Sequence, residues 1–347
     1  MTIFRVARES DIESIALITS KAGVGLSTVP KGRAAVESYV DDTAKFMSGK
    51  GGSNRVLFVS DDKGVVTGIS GIIIQTDVER PFYSFEHKRV NGDQVKSRDL
   101  TKGHDVLQLS QKYNEHTELG TLFLSPDCRG GGVGRLLSMG RLAFIESHRS
   151  SFKDNLMADI RGWYDETNSS PFWLEFASRF VDASFEDANR FVEQDKDFIR
   201  NAFPHHPVYL CLLNRAAQEC VGRANDNSIG ALKLLQAAGF TKSNYCNILD
   251  GGPALECKVA ETIVAKSANK ALNIGQLSNP TPALHFSGHG YDFKAGILPA
   301  DMTSLTASED AAASFGHTNN MPVSLSLIQE MRMNNDVAKP STVGANG

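Results

Sequence analysis

At 347 residues, with 41% hydrophobic and 22% charged side chains, the chain can bury a sizeable core, and at roughly 150 residues per domain it has length for about two domains or one fused α/β body. That composition excludes stapled miniproteins, fibres and wholesale disorder. A net charge of −4, from 36 Lys and Arg against 40 Asp and Glu, provides no basic field for a phosphate polymer, so nucleic acid is not an expected partner.

Residues 3–6 read as a short strand, and Glu9-Ser10-Asp11 offers a capped start to a helix carrying Ile12, Ile15, Ala16 and Ile18. The charged first residues contain no apolar signal region, so secretion is not expected, and no apolar run approaches the roughly 18 residues of a membrane helix. Residues 55–60 and 65–76 are β-branched and apolar around Asp61-Asp62-Lys63-Gly64, which predicts an antiparallel hairpin. Residues 81–116, with Arg98, Asp99, Lys102, His104 and Asp105, read as a long polar excursion with some strand content.

Leu119 to Leu124 predicts a strand, 125–131 a loop, and Gly132 onward a helix with Val133, Leu136, Leu137, Gly140 and Phe144 on one buried face. A strand at 156–160 and a helix opening at Ser170-Pro171-Phe172-Trp173 continue the β–α rhythm. Asn227-Ser228 predicts the cap of a helix bearing Ile229, Leu232, Leu235 and Ala238, stopped by Gly239. Strands at 245–249 and 254–259 flank Asp250-Gly251-Gly252-Pro253. After about Lys266 the pattern fades into Asn, Ser, Ala and Pro, with a small β unit near 283–298 and 323–328, and a loose or frayed tail is expected. Five scattered cysteines without a C-x-x-C pair imply neither a disulfide framework nor a zinc ribbon, and a reducing cytoplasm fits them best.

The segment Arg129-Gly130-Gly131-Gly132-Val133-Gly134, between a strand and a helix, can aim backbone N–H groups at an anion. Arg135 breaks the dinucleotide-binding G-x-G-x-x-G pattern, and no G-K-[ST] closes a P-loop. What remains, R-x-x-G-x-G, resembles the pyrophosphate loop of GNAT-type acyltransferases; a glycine-rich turn that only starts a helix is the plainer alternative.

A wider set of motifs resembles the arginine N-succinyltransferase family. It comprises Lys21-Ala-Gly-Val-Gly-Leu-Ser27 with Pro30, Pro81-Phe-Tyr-Ser84, Glu118-Leu-Gly-Thr-Leu-Phe-Leu124 with Arg129, Arg161-Gly162 with Asp165-Glu166, and Ser170-Pro-Phe-Trp173. His206-Pro207 with Tyr209, Tyr245, Asp250-Gly-Gly-Pro253 and Glu256-Cys257 complete it, in the family's order, over roughly three quarters of the chain.

The resemblance implies a GNAT-like α/β (α+β) fold, a mixed sheet flanked by helices in two fused α/β halves with a small C-terminal β-containing appendage. The implied boundaries are 1–150 for the half with the coenzyme A loop, 151–264 for the second half, and 265–347 for a partly disordered C-terminal segment. The implied reaction moves a succinyl group from succinyl-CoA to the α-amine of L-arginine, a step of arginine catabolism, with succinyl-CoA as co-substrate, no permanently bound cofactor and no metal. Leu122, Phe123, Leu124, Arg129, Gly130, Gly132 and Gly134 would bind the coenzyme. A homo-oligomer or a paralogous subunit stays open as protein partner.

Where the family has Gly-Gln-Val-His-Pro with a proton-donating histidine, this chain has Gly222-Arg223-Ala224-Asn225-Asp226, and Asn225 cannot titrate. A second family histidine falls at Val90-Asn91-Gly92. Asp226 and His206 are the candidate replacements, and a member with another amine acceptor, or a silent acyl-CoA-binding subunit, is the alternative. A guanidinium would call for carboxylates such as Asp165, Glu166 or Asp250, and the succinyl carboxylate for Arg161 or Lys21. His285, His289 and Asp292 as metal ligands, and Cys128 as nucleophile, are outweighed by structural roles. The same holds for the aromatics Phe172, Trp173, Phe176 and Phe180, expected in the core, and for the acidic run 186–197, expected in solvent.

Overall fold

The first strand, β1 (Thr2–Val6), is an interior strand, with Phe4 and Val6 fully buried and an antiparallel neighbour on each side. Helices α1 (Ile12–Thr19) and α2 (Arg33–Met47) follow, then β2 (Arg55–Asp62) and β3 (Val65–Ile74). Next come β4 (Ser84–Val90), β5 (His104–Ser110), β6 (Thr117–Leu124), α3 (Val133–Ser147) and β7 (Asn155–Asp159). Helices α4 (Pro171–Glu175), α5 (Phe185–Gln194) and α6 (Phe198–Ala202), strand β8 (Val208–Tyr209) and helix α7 (Arg215–Cys220) lead to α8 (Ile229–Ala237), β9 (Thr241–Cys246), β10 (Pro253–Lys258) and α9 (Ile263–Ser267). The chain closes with β11 (Asn269–Lys270), β12 (Asn273–Ile274), β13 (Thr281–Ser287), β14 (Lys294–Asp301), β15 (Thr306–Ala307), α10 (Glu309–Ser314) and β16 (Ser324–Leu327). This computed structural model describes residues 1–23, 26, 28–49, 51, 53–74, 81–90, 103–167, 169–195, 197–317 and 323–328.

Among the described residues the strands form one mixed sheet in the order β11-β16-β13-β14-β1-β2-β3-β6-β7-β10-β9-β4-β5-β8, with β12 and β15 paired beside β14. The α/β architecture expected from the sequence, a mixed sheet flanked by helices, is the one the chain adopts. Helices α1 and α2 cover β2, β3 and Phe123 on one face through Ile15, Val36 and Val40. Helix α3 lies on the other face, so close to β1 that a Cβ at Gly140 would sit 2.5 Å from the Phe4 ring. A second aromatic core joins Phe85, Leu107 and Cys246 of the sheet to Phe172, Trp173 and Phe176, the residues expected in the core. Strands β4 and β5 belong to the first 150 residues by sequence but lie beyond β9, among strands of the following segment.

Two local expectations are corrected. The strand expected at 245–249 is β9, which ends at Cys246 because the Asn247 Oδ1 accepts the N–H groups of Leu249 and Asp250 and turns the chain into a loop. Helix α8 begins at Ile229, but neither Asn227 nor Ser228 caps it by side chain; the Asn225 Oδ1 accepts the Asn227 N–H at 3.0 Å one turn earlier. The small β unit expected near 283–298 and 323–328 is present as β13, β14 and β16, but it is built into the core rather than loose: Ala283, Leu284, Ala295 and Ala300 are fully buried and β14 pairs with β1. Residues 329–347, Thr76, Asn91, Gly92, Arg98, Asp99 and Lys102 lie outside the described residues.

Candidate active site

Strands β6 and β7 run parallel, and they pair only at Thr117–Leu156 and Glu118–Met157. Beyond that point β6 stays bonded to β3, and β7 to β10, so the two strands part and leave a wedge. Carrying the register forward sets Gly120 level with Asp159 across the gap, at the last residue of β7.

A bulge marks β6 at the mouth of that wedge. The pairing with β3 shifts between Phe123 and Gly120, and Thr121 takes a left-handed φ of 54°, a conformation a β-branched residue adopts only when held there. Thr28 holds it: its Oγ1 accepts the Thr121 N–H and its carbonyl accepts the Thr121 hydroxyl, both at 2.9 Å. From the α3 side the fully buried Arg141 donates to the Gly120 carbonyl at 3.0 Å. Burial draws its pKa down to about 9, which keeps the guanidinium charged at neutral pH, in the field of Glu118. Thr28→Val is expected to strand the Thr121 N–H and cost about 1–3 kcal/mol, read as a lower denaturation midpoint.

The glycine turn lies at the end of the bulged strand. Gly130 and Gly132 have φ of 95° and 79°, and a Cβ at Gly130, Gly131 or Gly132 would meet nothing within 4 Å. Arg129 and the three glycines are exposed, and helix α3 starts directly after them, so the turn offers an open approach to unpaired N–H groups at a helix start. Leu122 and Leu124 are half-buried against the α3 side, whereas Phe123 packs with α1 and α2.

Strand alternation gathers a polar surface on the opposite face from α3. Glu118, Met157, Asp159, Ala254 and Glu256 lie side by side there, since Met157 pairs with both Glu118 and Glu256 and Asp159 pairs with Ala254. Tyr113 donates to the Glu256 carboxylate at 2.7 Å, and Lys112 does so at 2.5 Å. Burial works to raise the pKa of Glu256, but these two bonds prevail and hold it below the usual range. Asp159 differs: burial, with Asp250 and Glu118 nearby, pushes its pKa well above the usual range, against the Asn247 amide that donates to its Oδ2 at 2.6 Å.

The end of β7 is tied to the β9–β10 loop. Asp250 is buried, and its carboxylate accepts the N–H groups of Gly162 and Gly252 at 2.8 and 2.9 Å, while Gly162 bridges Ala224 and the Asn225 N–H bonds the Arg161 carbonyl. Asp250 is therefore engaged in fixing the backbone at the end of β7. The Arg161 guanidinium lies 4.4 Å above the Tyr164 ring in the field of Asp250.

The structure thus brings Leu122, Arg161 and Asn225 to one wedge and leaves other candidates elsewhere. His206 is exposed just before β8, with β10, β9, β4 and β5 between it and β7, or about 24 Å at the usual strand spacing. Asp226 is exposed one residue beyond the buried Asn225. Asp165 closes its own turn with Thr167 and Ser169, Glu166 is exposed, and Lys21 pairs with Asp127 at 3.0 Å. Cys128 lies in the turn after β6, His285 stacks on Phe315, and His289 packs against His148. Among the described residues no three His, Cys, Asp or Glu side chains are grouped to hold a metal ion. Sequence reasoning missed Asp159, Thr28 and Arg141; only the place of Glu118 and Thr121 within one motif pointed toward the bulge.

A sequence model of the arginine N-succinyltransferase beta subunit matches residues 2–264. Proteins named arginine N-succinyltransferase from Escherichia coli strains are 33% identical over 266 residues, covering 75% of this chain and 76% of theirs. The solved structure of arginine/ornithine succinyltransferase subunit AI from Pseudomonas aeruginosa superposes with a TM-score of 0.83 at 25% identity, over 95% of this chain and 99% of that one. That superposition extends past residue 264 into the C-terminal strands.

Proposed function

The chain belongs to the arginine N-succinyltransferase family, and from that premise we propose that it moves the succinyl group of succinyl-CoA to the α-amine of L-arginine, giving N2-succinylarginine and free coenzyme A. It is an acyltransferase, and the observation that carries the reading is the wedge between β6 and β7, flanked by a clamped bulge and an open glycine turn. In this reading the pyrophosphate lies over Arg129, Gly130, Gly132 and Gly134, and the pantetheine arm bonds the freed edge of β6 at Leu122, Phe123 and Leu124. A thioester carried along that edge reaches the bulge, where the Thr121 N–H is already taken by Thr28, so the donors that polarise its carbonyl come from the β6 edge beyond Thr121. Arg161, two residues past the end of β7, is the cation for the succinyl carboxylate. Residues 1–150 carry the coenzyme loop, 151–264 supply the opposing wall of the wedge, and the described residues of 265–347 extend the sheet behind β1. Five free cysteines suit a reducing cytoplasm, and among the described residues no helix is long and apolar enough to cross a membrane.

The test is thiol release from succinyl-CoA with L-arginine, against acetyl-CoA and ornithine controls, with the product mass measured. Arginine-dependent release with the mass of succinylarginine supports the reading. Release only with another amine favours the second reading, a different acceptor, which rests on Asn225 standing where the family has histidine and spending its side chain on a turn. Succinyl-CoA binding without release from any amine would instead indicate a silent subunit.

Asn225→His probes the missing acid. The leaving thiolate is only weakly basic, so restoring a titratable group is expected to raise kcat by about tenfold, below the 10²–10⁴ typical of general acid–base catalysis. An unchanged or lower kcat would mean that the site works without an acid at this position.

A further inference from the structure

We propose that Asp159 is the base that takes a proton from the acceptor's α-ammonium, an inference that rests on the acyl transfer proposed above. Its place in the sheet carries the argument. Asp159 is the last residue of β7, level with Gly120 of the bulged strand and paired with Ala254 of β10, so small residues flank it on both sides. The Glu118 and Thr28 side chains lie beside Gly120, within 3.2 and 3.6 Å of where its Cβ would be, so a second carboxylate stands at the mouth of the wedge. Asp159 is only half-buried there, although protein surrounds it. Asn247 anchors one oxygen, Oδ2, at 2.6 Å and takes its own bearing from the N–H groups of Leu249 and Asp250. Among the described residues no other side chain donates to the carboxylate, so Oδ1 is left for a ligand.

The groups that act on Asp159 from the surrounding elements are Glu118 on β6 and Asp250 in the β9–β10 loop, both acidic, and it in turn bears on Cys246 of β9 and Tyr113. No Lys or Arg is among the charges that shift it. Burial raises its proton affinity, which brings the carboxylate nearer to an amine and suits it to general-base work at neutral pH. This acidic setting attracts a cation by charge and then discharges it. One ammonium proton passes to Asp159 Oδ1, and the freed lone pair forms the C–N bond to the thioester carbonyl. The tetrahedral adduct breaks its C–S bond, the thiolate leaves with that bonding pair and receives the second nitrogen proton, and Asp159 returns the first proton to water.

The experiment is Asp159→Asn assayed by thiol release over neutral to alkaline pH. Turnover with arginine is expected to fall about 100-fold at neutral pH, with the KM for succinyl-CoA within about twofold and the acidic limb of the kcat/KM profile displaced toward the pKa of the free amine, which must then lose its proton to water. Stability is expected to move the other way. A carboxyl whose folded pKa is raised destabilises the fold at pH above that value, and the penalty vanishes below the unfolded value, so the variant gains Tm at alkaline pH and not in acid. Turnover within about threefold of wild type, with the same pH profile, overturns the inference and leaves the acyl-transfer reading intact. Wild-type protein that releases no thiol with arginine overturns both. Should Asp159→Asn fail to fold, Asp159→Glu carries the test: a displaced acidic limb supports the assignment and an unmoved one overturns it.

Discussion

Gly252→Val is expected to leave little folded protein. A Cβ at Gly252 would lie 2.1 Å from the Ile160 carbonyl oxygen, 2.5 Å from the Gly162 nitrogen and 2.9 Å from the Arg161 carbonyl carbon, all backbone atoms that cannot rotate aside. The approach is fixed from both directions: the Gly252 N–H donates to Asp250 Oδ1, its carbonyl accepts the Asn247 N–H at 2.8 Å, and the Ile160 N–H bonds Pro253. Making room means pulling the β9–β10 loop off the end of β7, which also breaks the Gly162 bond to Asp250. Overpacking between side chains costs about 1–3 kcal/mol, and here the obstacle is main chain, so a loss above about 4 kcal/mol is expected from a total that is typically 5–15 kcal/mol. Soluble yield and thermal unfolding measure it. Wild-type yield with an unchanged Tm would mean that the loop and the strand end do not touch as described.

Gly132→Asp is expected to do the reverse, keeping the fold and abolishing coenzyme binding. Gly132 has a φ of 79° and stands immediately before α3, and aspartate is among the few residues that accept a left-handed conformation and favour the position before a helix. Its side chain would enter open space, so unfolding should shift little. The new carboxylate would occupy the anion position itself. Two unit charges about 4 Å apart near a protein surface repel by about 4 kcal/mol, and with screening at least about a 100-fold rise in the Kd for succinyl-CoA is expected. Titration calorimetry with succinyl-CoA reads it directly, and an unchanged Kd would place the pyrophosphate away from this turn.

The parts of the site that the sequence disclosed are those written locally. Strand β6, the glycine turn and the buried face of α3 are consecutive, so hydrophobic spacing and glycine placement revealed them together. Asp159 could not be found this way, because its setting comes from Glu118, Asn247 and Asp250, which are distant in sequence and meet only when β6, β7, β10 and β9 align. The place of His206 was equally hidden: nothing near it in sequence foretells that β8 ends the sheet, several strands from β7. The C-terminal strands were legible in part, but composition hid that they belong to the core. Alanine and serine have weak strand preference, yet Ala283, Ala295, Ala300 and Ala307 are fully buried, and Gly296 lets the Phe315 ring come within 2.8 Å of where a Cβ would be. One large ring there supplies bulk that the strands lack.

The two neighbours of β1 bear on how the chain is made. One side of that strand is satisfied by β2, within the first 62 residues, but the other waits for β14 at residues 294–301. During synthesis an apolar edge bearing Phe4 and Val6 therefore remains open to foreign strands until most of the polypeptide has left the ribosome. Slow, chaperone-sensitive maturation is the expected cost, and nascent chains halted before residue 294 should aggregate where those extended past residue 301 do not.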